Sequence, residues 1–402
     1  MKHIIRVLII GILPILIAGC SLLEEKPEES ANIETKEEKE DQSKKSEPSK
    51  LKKNFSSSLT VKTLWKKKLG SGLDDYYLKL GPNIEGENLY ITDRDGYLFN
   101  VGLKSGKLHW KVKDKNVEYT SSAGLGDGMI LVGTGDGRLI AREIESGTLR
   151  WIVQTSSEIL AAPSAHKGIT VVRSADGAVQ ALDSQTGSEV WNYRREAPRL
   201  TLRGNSRSLI SDNVVFSALD NGRLVALDLR LGNMVWNKAI TVPSGVTDLE
   251  RMVDLDGDPL ITEDFVYVSS FQGGVTALSK VNGQIIWARQ ISSYNTLARG
   301  GRKIFVVDED SAIWALNEED GISVWKQSEL EKRFITAPVF FNNYIIVGDF
   351  EGYVHWLSAE TGEIVNRIRL DRNSIVAPAA ASDDIVVIRS VSGKTIAMTL
   401  GD

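Results

Sequence analysis

Asn221-Gly222-Arg223-Leu224-Val225-Ala226-Leu227-Asp228, followed by Leu231-Gly232 and then Trp236, is the stretch that decides the fold. It reads as a tight turn, a strand of small and apolar residues, a second turn on a glycine, and a tryptophan four residues later. The same unit stands upstream as Asp176-Gly177-Ala178-Val179-Gln180-Ala181-Leu182-Asp183, Thr186-Gly187 and Trp191. It stands downstream as Gly273-Gly274-Val275-Thr276-Ala277-Leu278, Asn282-Gly283 and Trp287. The turn glycines fall at 106, 147, 187, 232, 283, 321 and 362, so successive spacings are 41, 40, 45, 51, 38 and 41. A strand-rich repeat of about forty residues is the signature of a β-propeller.

Seven units are complete through the turn glycine, and the seventh carries Asn366 where the others carry tryptophan. An eighth begins with Asp384-Ile385-Val386-Val387-Ile388 and Ser392-Gly393 but has no turn glycine or tryptophan of its own. The missing strand is available at the other end as Val61-Lys62-Thr63-Leu64-Trp65, with Trp65 45 residues before Trp110. The expected fold is therefore all-β: an eight-bladed propeller of four-stranded antiparallel blades, closed by the N-terminal strand. Closure removes an open sheet edge, which is an aggregation hazard. Asp-Gly and Asn-Gly supply the positive φ of tight hairpins, and the small Ala181, Ala226, Ala277, Ala315 and Ala397 suit the crowded inner strands. These repeat residues read as scaffold, and none is a candidate functional site.

The N-terminus reads as an address. Lys2, His3 and Arg6 precede an apolar run over 7–18, and Leu16-Ile17-Ala18-Gly19-Cys20 follows. This is the layout of a signal peptide over 1–19, and the run is short for a spanning helix of about 20 residues. The last five residues resemble a lipobox, whose cysteine becomes the lipidated N-terminus, and Cys20 is the sole cysteine of the chain. Ser21 in place of Asp resembles the pattern for outer-membrane delivery in Gram-negative lipoproteins. Residues 20–57 hold mixed-charge runs such as Lys36-Glu37-Glu38-Lys39-Glu40-Asp41 and no aromatic before Phe55. Such a composition is expected to form a flexible linker with a span on the order of 30 Å, leaving 58–402 for the propeller.

The search for chemistry is mostly negative. Net charge is −5, which gives no basic footprint for nucleic acid. The four histidines, His3, His109, His166 and His355, show no metal-ligand spacing. Asp254-Leu255-Asp256-Gly257-Asp258 begins like a calcium loop, but the twelfth position, which wants Glu, is Phe265. No nucleophile, base and orienting group assemble, so no enzyme, metal or cofactor is expected. What stands out is where the period stretches. The two long spacings follow Trp191 and Trp236, in consecutive blades and from the same strand, so both inserts should emerge side by side on one face. The first holds Leu200-Thr201-Leu202-Arg203-Gly204 and the second Asp248-Leu249-Glu250-Arg251, with Asp254, Asp256 and Pro259 beyond it. Loops on a rigid scaffold commonly carry binding. Leu200 and Leu202 offer apolar anchors, and Asp254 or Asp256 could hold Arg203 by charge-assisted hydrogen bonds. Capping of the propeller mouth is the plainer alternative, and the residues alone leave the two even.

The repeats resemble those of quinoprotein-type (PQQ-like) propellers. Within them the two insert motifs, Trp325-Lys326-Gln327-Ser328-Glu329-Leu330, Val347-Gly348-Asp349-Phe350-Glu351-Gly352-Tyr353-Val354-His355-Trp356 and the lipobox resemble the BamB family, lipoprotein subunits of the outer-membrane β-barrel assembly machine. That resemblance implies a non-enzymatic eight-bladed propeller, anchored at the outer membrane and facing the periplasm. It would bind the POTRA domains of the central barrel subunit BamA and assist folding and insertion of outer-membrane proteins, with unfolded clients as a further partner. It also implies that Leu200, Leu202, Arg203, Asp254 and Asp256 make the contact and that Cys20 carries the lipid. The linker is longer and more charged than the family leads one to expect. A PQQ-dependent dehydrogenase-like propeller and a saccharide-binding envelope propeller are the rival readings. Against the first stand the absence of paired cysteines, the short chain and the lack of a calcium, carboxylate and base set.

Overall fold

The computed structural model describes residues 47–52, 55–73, 78–194, 206–241 and 255–401. Among them the strands form eight four-stranded antiparallel sheets, seven of them adding their strands in chain order from the axis outward. Blade 4 shows the plan: Leu209–Ser211 innermost, then Val214–Ala218, Arg223–Asp228 and Met234–Ala239. The short first strands of neighbouring blades approach one another around the axis. Blade 8 is assembled from both ends of the chain. Ala380–Ala381, Val386–Arg389 and Lys394–Leu400 are followed outward by Val61–Lys68, which pairs antiparallel from Val61 opposite Leu400 to Lys68 opposite Lys394. The eight-bladed ring closed by its N-terminal strand is as the sequence leads one to expect.

The apolar core lies between blades. A cluster of Phe216, Leu224, Ala226 and Trp236 from blade 4 with Val266, Val268 and Leu278 from blade 5 is typical. Within a blade the tryptophan on the outer strand sits opposite the small residue on the third, as Trp236 does opposite Ala226. Except at Trp110, its indole Nε1 donates to a backbone carbonyl of the next blade. Trp191 donates to Leu229 at 2.9 Å, Trp236 to Lys280 at 3.1 Å and Trp325 to Ala359 at 3.2 Å. The turn glycine of that next blade closes over the ring. Gly232 has φ +70°, and a Cβ there would lie 2.7 Å from Trp191. The repeat's glycine and its tryptophan are thus two halves of one contact between successive blades.

Blade 7 shows what happens where that contact cannot form. Blade 8 draws its outer strand from the N-terminal side, so no turn glycine follows its third strand, and nothing would close over a tryptophan at 366. The large ring moves across the ladder instead: Trp356 stands opposite Asn366 and is fully buried. Asn366 donates from Nδ2 to the Leu59 carbonyl at 2.8 Å, tying in the chain that enters blade 8. Contacts of that entering chain begin well before the first strand. Ser49 N–H donates to Glu331 O at 3.0 Å, Leu51 packs on the cluster between blades 6 and 7, and Ser58 N–H donates to Val365 O at 3.0 Å. Among the described residues, contacts with the blades are thus present from Ser49 onward.

Candidate partner-binding face

Both inserts join an outer strand to the first strand of the next blade. One runs from Glu189–Tyr193 to Leu209–Ser211, the other from Met234–Ala239 to Leu260–Ile261. Such connections emerge on the same face as the turns between second and third strands, including Asp220-Asn221-Gly222. Leu200, Leu202, Arg203 and Asp254 lie outside the described residues, as does Cys20. The C-terminal root of each insert and Asp256 are described.

The roots are clasped together across the boundary between blades 4 and 5. Arg207 donates from its backbone N–H and from Nε to Asp258 Oδ1 and Oδ2, both at 2.7 Å. Ser206 Oγ donates to Gly257 O at 3.1 Å, and Asp258 N–H donates to Thr296 Oγ1 of the following connection at 3.0 Å. Ser206 and Leu255 are fully buried. Behind them Arg173 of blade 3 forms a buried ion pair with Asp220 of blade 4 and donates to Ser206 O at 3.3 Å. Three consecutive blades are pinned together beneath the inserts. Buried charges persist only when paired and hydrogen-bonded, as these are.

Asp256 and Asp258 both line the central channel on this face, together with Lys79, Ser122, Arg207 and Thr296, and Asp258 alone of the two is in the clasp. Burial raises the Asp256 carboxyl above the ordinary range, against the pull of Lys79 and Arg173 and with Asp220 adding to the rise. Burial likewise lowers the Lys79 ammonium, with Asp256 and Asp258 opposing. Its described electrostatic neighbours are thus the channel lysine and the Arg173 and Asp220 pair. Arg207 and Asp258 were not singled out from sequence as an interlocking pair. Their signal is a cation and an anion at the ends of two adjacent inserts, legible once both ends are known to meet.

A third connection on this face carries an aromatic residue that sequence reading passes over. Phe334, between the outer strand of blade 6 and the first strand of blade 7, is 66 % exposed with φ +47°. Positive φ is uncommon for a bulky residue and marks a conformation held by its surroundings. Its ring meets Phe350 edge-on at 6.3 Å, and Phe350 takes the Arg333 guanidinium on its face at 5.1 Å. Nothing in the periodicity distinguishes Phe334 from a core aromatic. Among the described residues no three His, Cys, Asp or Glu side chains gather as a metal site. The face offers loops, paired charges and an exposed ring.

The family model described as outer membrane protein assembly factor BamB matches residues 94–327 and 315–401. The chain belongs to the outer membrane protein assembly factor BamB family. The relative of that name from Yersinia pestis is 30% identical over 346 residues, covering 84% of this chain and 88% of the relative. The crystal structure of BamB from Moraxella catarrhalis superposes with a TM-score of 0.78 at 23% identity, over 84% of this chain and 99% of that one. A quinohemoprotein alcohol dehydrogenase from Comamonas testosteroni superposes at 0.69 with 13% identity, over 85% of this chain and 76% of that one, a likeness of fold alone. Membership of the BamB family accounts for the eight-bladed scaffold, and its relatives are named for assembly, not for a reaction.

Proposed function

We propose that this BamB-family chain is a non-enzymatic scaffold subunit of the outer-membrane protein assembly complex. Its insert face docks on the periplasmic POTRA domains of the central barrel subunit, BamA, and so assists folding and insertion of outer-membrane proteins. Cys20 carries the lipid that holds the propeller at the outer membrane, facing the periplasm. The observation that carries this reading is the clasp of Arg207 and Asp258, which ties the C-terminal roots of two long inserts from adjacent blades to each other. Roots fixed in advance reduce the ordering cost of binding. On the inserts Leu200 and Leu202 bury against the partner while Arg203, steadied by Asp254 or Asp256, meets an acidic or carbonyl group. Losing one partner of such a pair commonly costs about 2–5 kcal/mol.

The test is an affinity pull-down from detergent-solubilised envelopes with the lipidated full chain and its Arg203→Ala variant. Recovery of the barrel subunit by the wild type and its loss in a folded variant is the expected outcome. Equal recovery by both removes Arg203 from the contact, and recovery by neither overturns the docking assignment.

A further inference from the structure

Beside the central channel the insert face holds a more apolar cavity of about 200 Å³, walled by the connections that enter blades 6, 7, 8 and 1 and by the Phe350 turn of blade 7. Its apolar lining comes from Phe334, Phe350, Ile335, Ile375 and Val376. Two hydroxyls at its edge are already used. Thr336 Oγ1 donates to Ala337 O at 3.1 Å, and Ser374 Oγ donates to Phe350 O at 2.9 Å. Two nitrogen donors of the lining are without partners among the described residues. Asn295 is 5% exposed, and its Nδ2 has no hydrogen-bond acceptor. The Lys79 ammonium forms no ion pair or hydrogen bond. A buried donor without an acceptor costs stability, so each such group calls for an explanation.

Lys79 is not a requirement of the repeat. Four residues before the first strand, blades 2, 3, 7 and 8 carry Thr120, Leu160, Ile335 and Val376, whereas blade 1 carries Lys79. Its position is fixed through its own carbonyl, which accepts from Gly81 N–H and from Ser122 Oγ, both at 3.0 Å. Burial lowers the pKa of its ammonium, with Asp256 and Asp258 opposing, and an incoming anion acts in the same direction as those aspartates. Both aspartates line the channel and not this cavity, where Lys79 is the one charged residue of the described lining. Phe334 is largely exposed, so one wall of the cavity stands free to meet a ligand.

We propose that this cavity binds an aromatic or branched apolar group carrying a single carboxylate, with the apolar body against Phe334, Phe350 and Ile375 and the carboxylate taken by Lys79 and Asn295. A carboxylate is acceptor-only and makes its strongest hydrogen bonds to charged donors, so one ammonium and one amide match one such group. The volume is below the roughly 300 Å³ at which sites for drug-sized ligands begin, and fits a body the size of one amino-acid side chain. Two sources carry this chemistry: a small free acid and the C-terminal residue of a polypeptide. The site stands on these residues alone and does not require the docking role proposed above.

The test titrates the full chain, without other subunits, with 3-phenylpropionate and with 3-phenylpropionamide by calorimetry. The acid is expected to bind about tenfold tighter than the amide, the gain of a charge-assisted hydrogen bond. Lys79→Met keeps an unbranched stem and is expected to erase that preference, with a urea midpoint no lower than wild type. Phe334→Ala, at an exposed position, is expected to weaken acid and amide alike, about threefold. No saturable binding of the acid, equal affinity for acid and amide, or a preference that survives Lys79→Met overturns the site. Binding that ignores Phe334→Ala places the ligand elsewhere and overturns it too. The tetrapeptide acetyl-Gly-Ser-Gly-Phe with a free C-terminus separates the sources. Tighter binding than 3-phenylpropionate, lost on amidation, assigns the site to a polypeptide C-terminus; equal or weaker binding assigns it to a free acid.

Discussion

Asp258→Ala is the substitution that most directly separates a pair of adjacent loops from a single binding unit. It removes the acceptor for two bonds from Arg207, one from backbone N–H and one from Nε, both 2.7 Å long. Hydrogen bonds to a charged group contribute about 1.5–3 kcal/mol each. The side chains are 35% and 18% exposed, so water recovers part of the loss at the guanidinium but little at the amide. The expected destabilisation is about 2–4 kcal/mol. Urea unfolding of the full chain measures it, and a double-mutant cycle with Arg207→Ala should return a coupling of about 1–3 kcal/mol. Because the ion pair of Arg173 and Asp220 and the interblade tryptophans remain, the ring stays folded. The loss is expected to appear as faster exchange of the Arg207 amide and as weaker recovery of the barrel subunit in the pull-down. A destabilisation under about 0.5 kcal/mol, with recovery unchanged, would refute the clasp as the device that joins the inserts.

Gly232→Ala combines an L-residue at φ +70° with a Cβ 2.7 Å from Trp191, so strain and overpacking together should cost about 2–5 kcal/mol. Gly168→Ala, at φ +79° with open space around it, should cost only about 1–2 kcal/mol, a difference that urea unfolding of the two variants measures. Trp356→Ala removes a fully buried indole and is expected to cost about 3–5 kcal/mol by urea unfolding; Asn366→Trp should not rescue it, since blade 8 has no turn to close over that ring. His355 is buried with Nε2 3.0 Å from Asp349, a carboxylate already engaged by Arg333. Burial lowers its pKa below the ordinary 6.5, with the Asp349 contact opposing. The unfolded chain therefore binds the proton first as pH falls through 6.5, and stability drops by up to about 1.4 kcal/mol per pH unit until the folded-state pKa is reached. Stability curves between pH 7.5 and 5 should show this slope reduced in His355→Gln.

The repeat is legible along the chain, and the eight-bladed ring follows from it. A turn glycine followed four residues later by tryptophan is written six times over and a seventh time with Asn366 in the tryptophan's place, and the arithmetic of the spacing leaves one strand to be supplied by Val61-Lys62-Thr63-Leu64-Trp65. The stretched intervals after Trp191 and Trp236 were legible for the same reason, since a period exposes its own interruptions. The tertiary structure decided everything that depends on which residues meet between blades. It made Asn366 a consequence of ring closure, because the glycine that would cover a tryptophan there belongs to a turn the seam does not have. It set Asp258 against Arg207 and left Asp256 in the same channel under the influence of Lys79, Arg173 and Asp220. It also set Leu51 and Leu59 on the clusters between blades 6 and 7 and between blades 7 and 8. A local pattern encodes the conformation of its own segment. Contacts across 38 to 51 residues, or between Leu59 and Asn366 at opposite ends of the chain, follow from the closed ring.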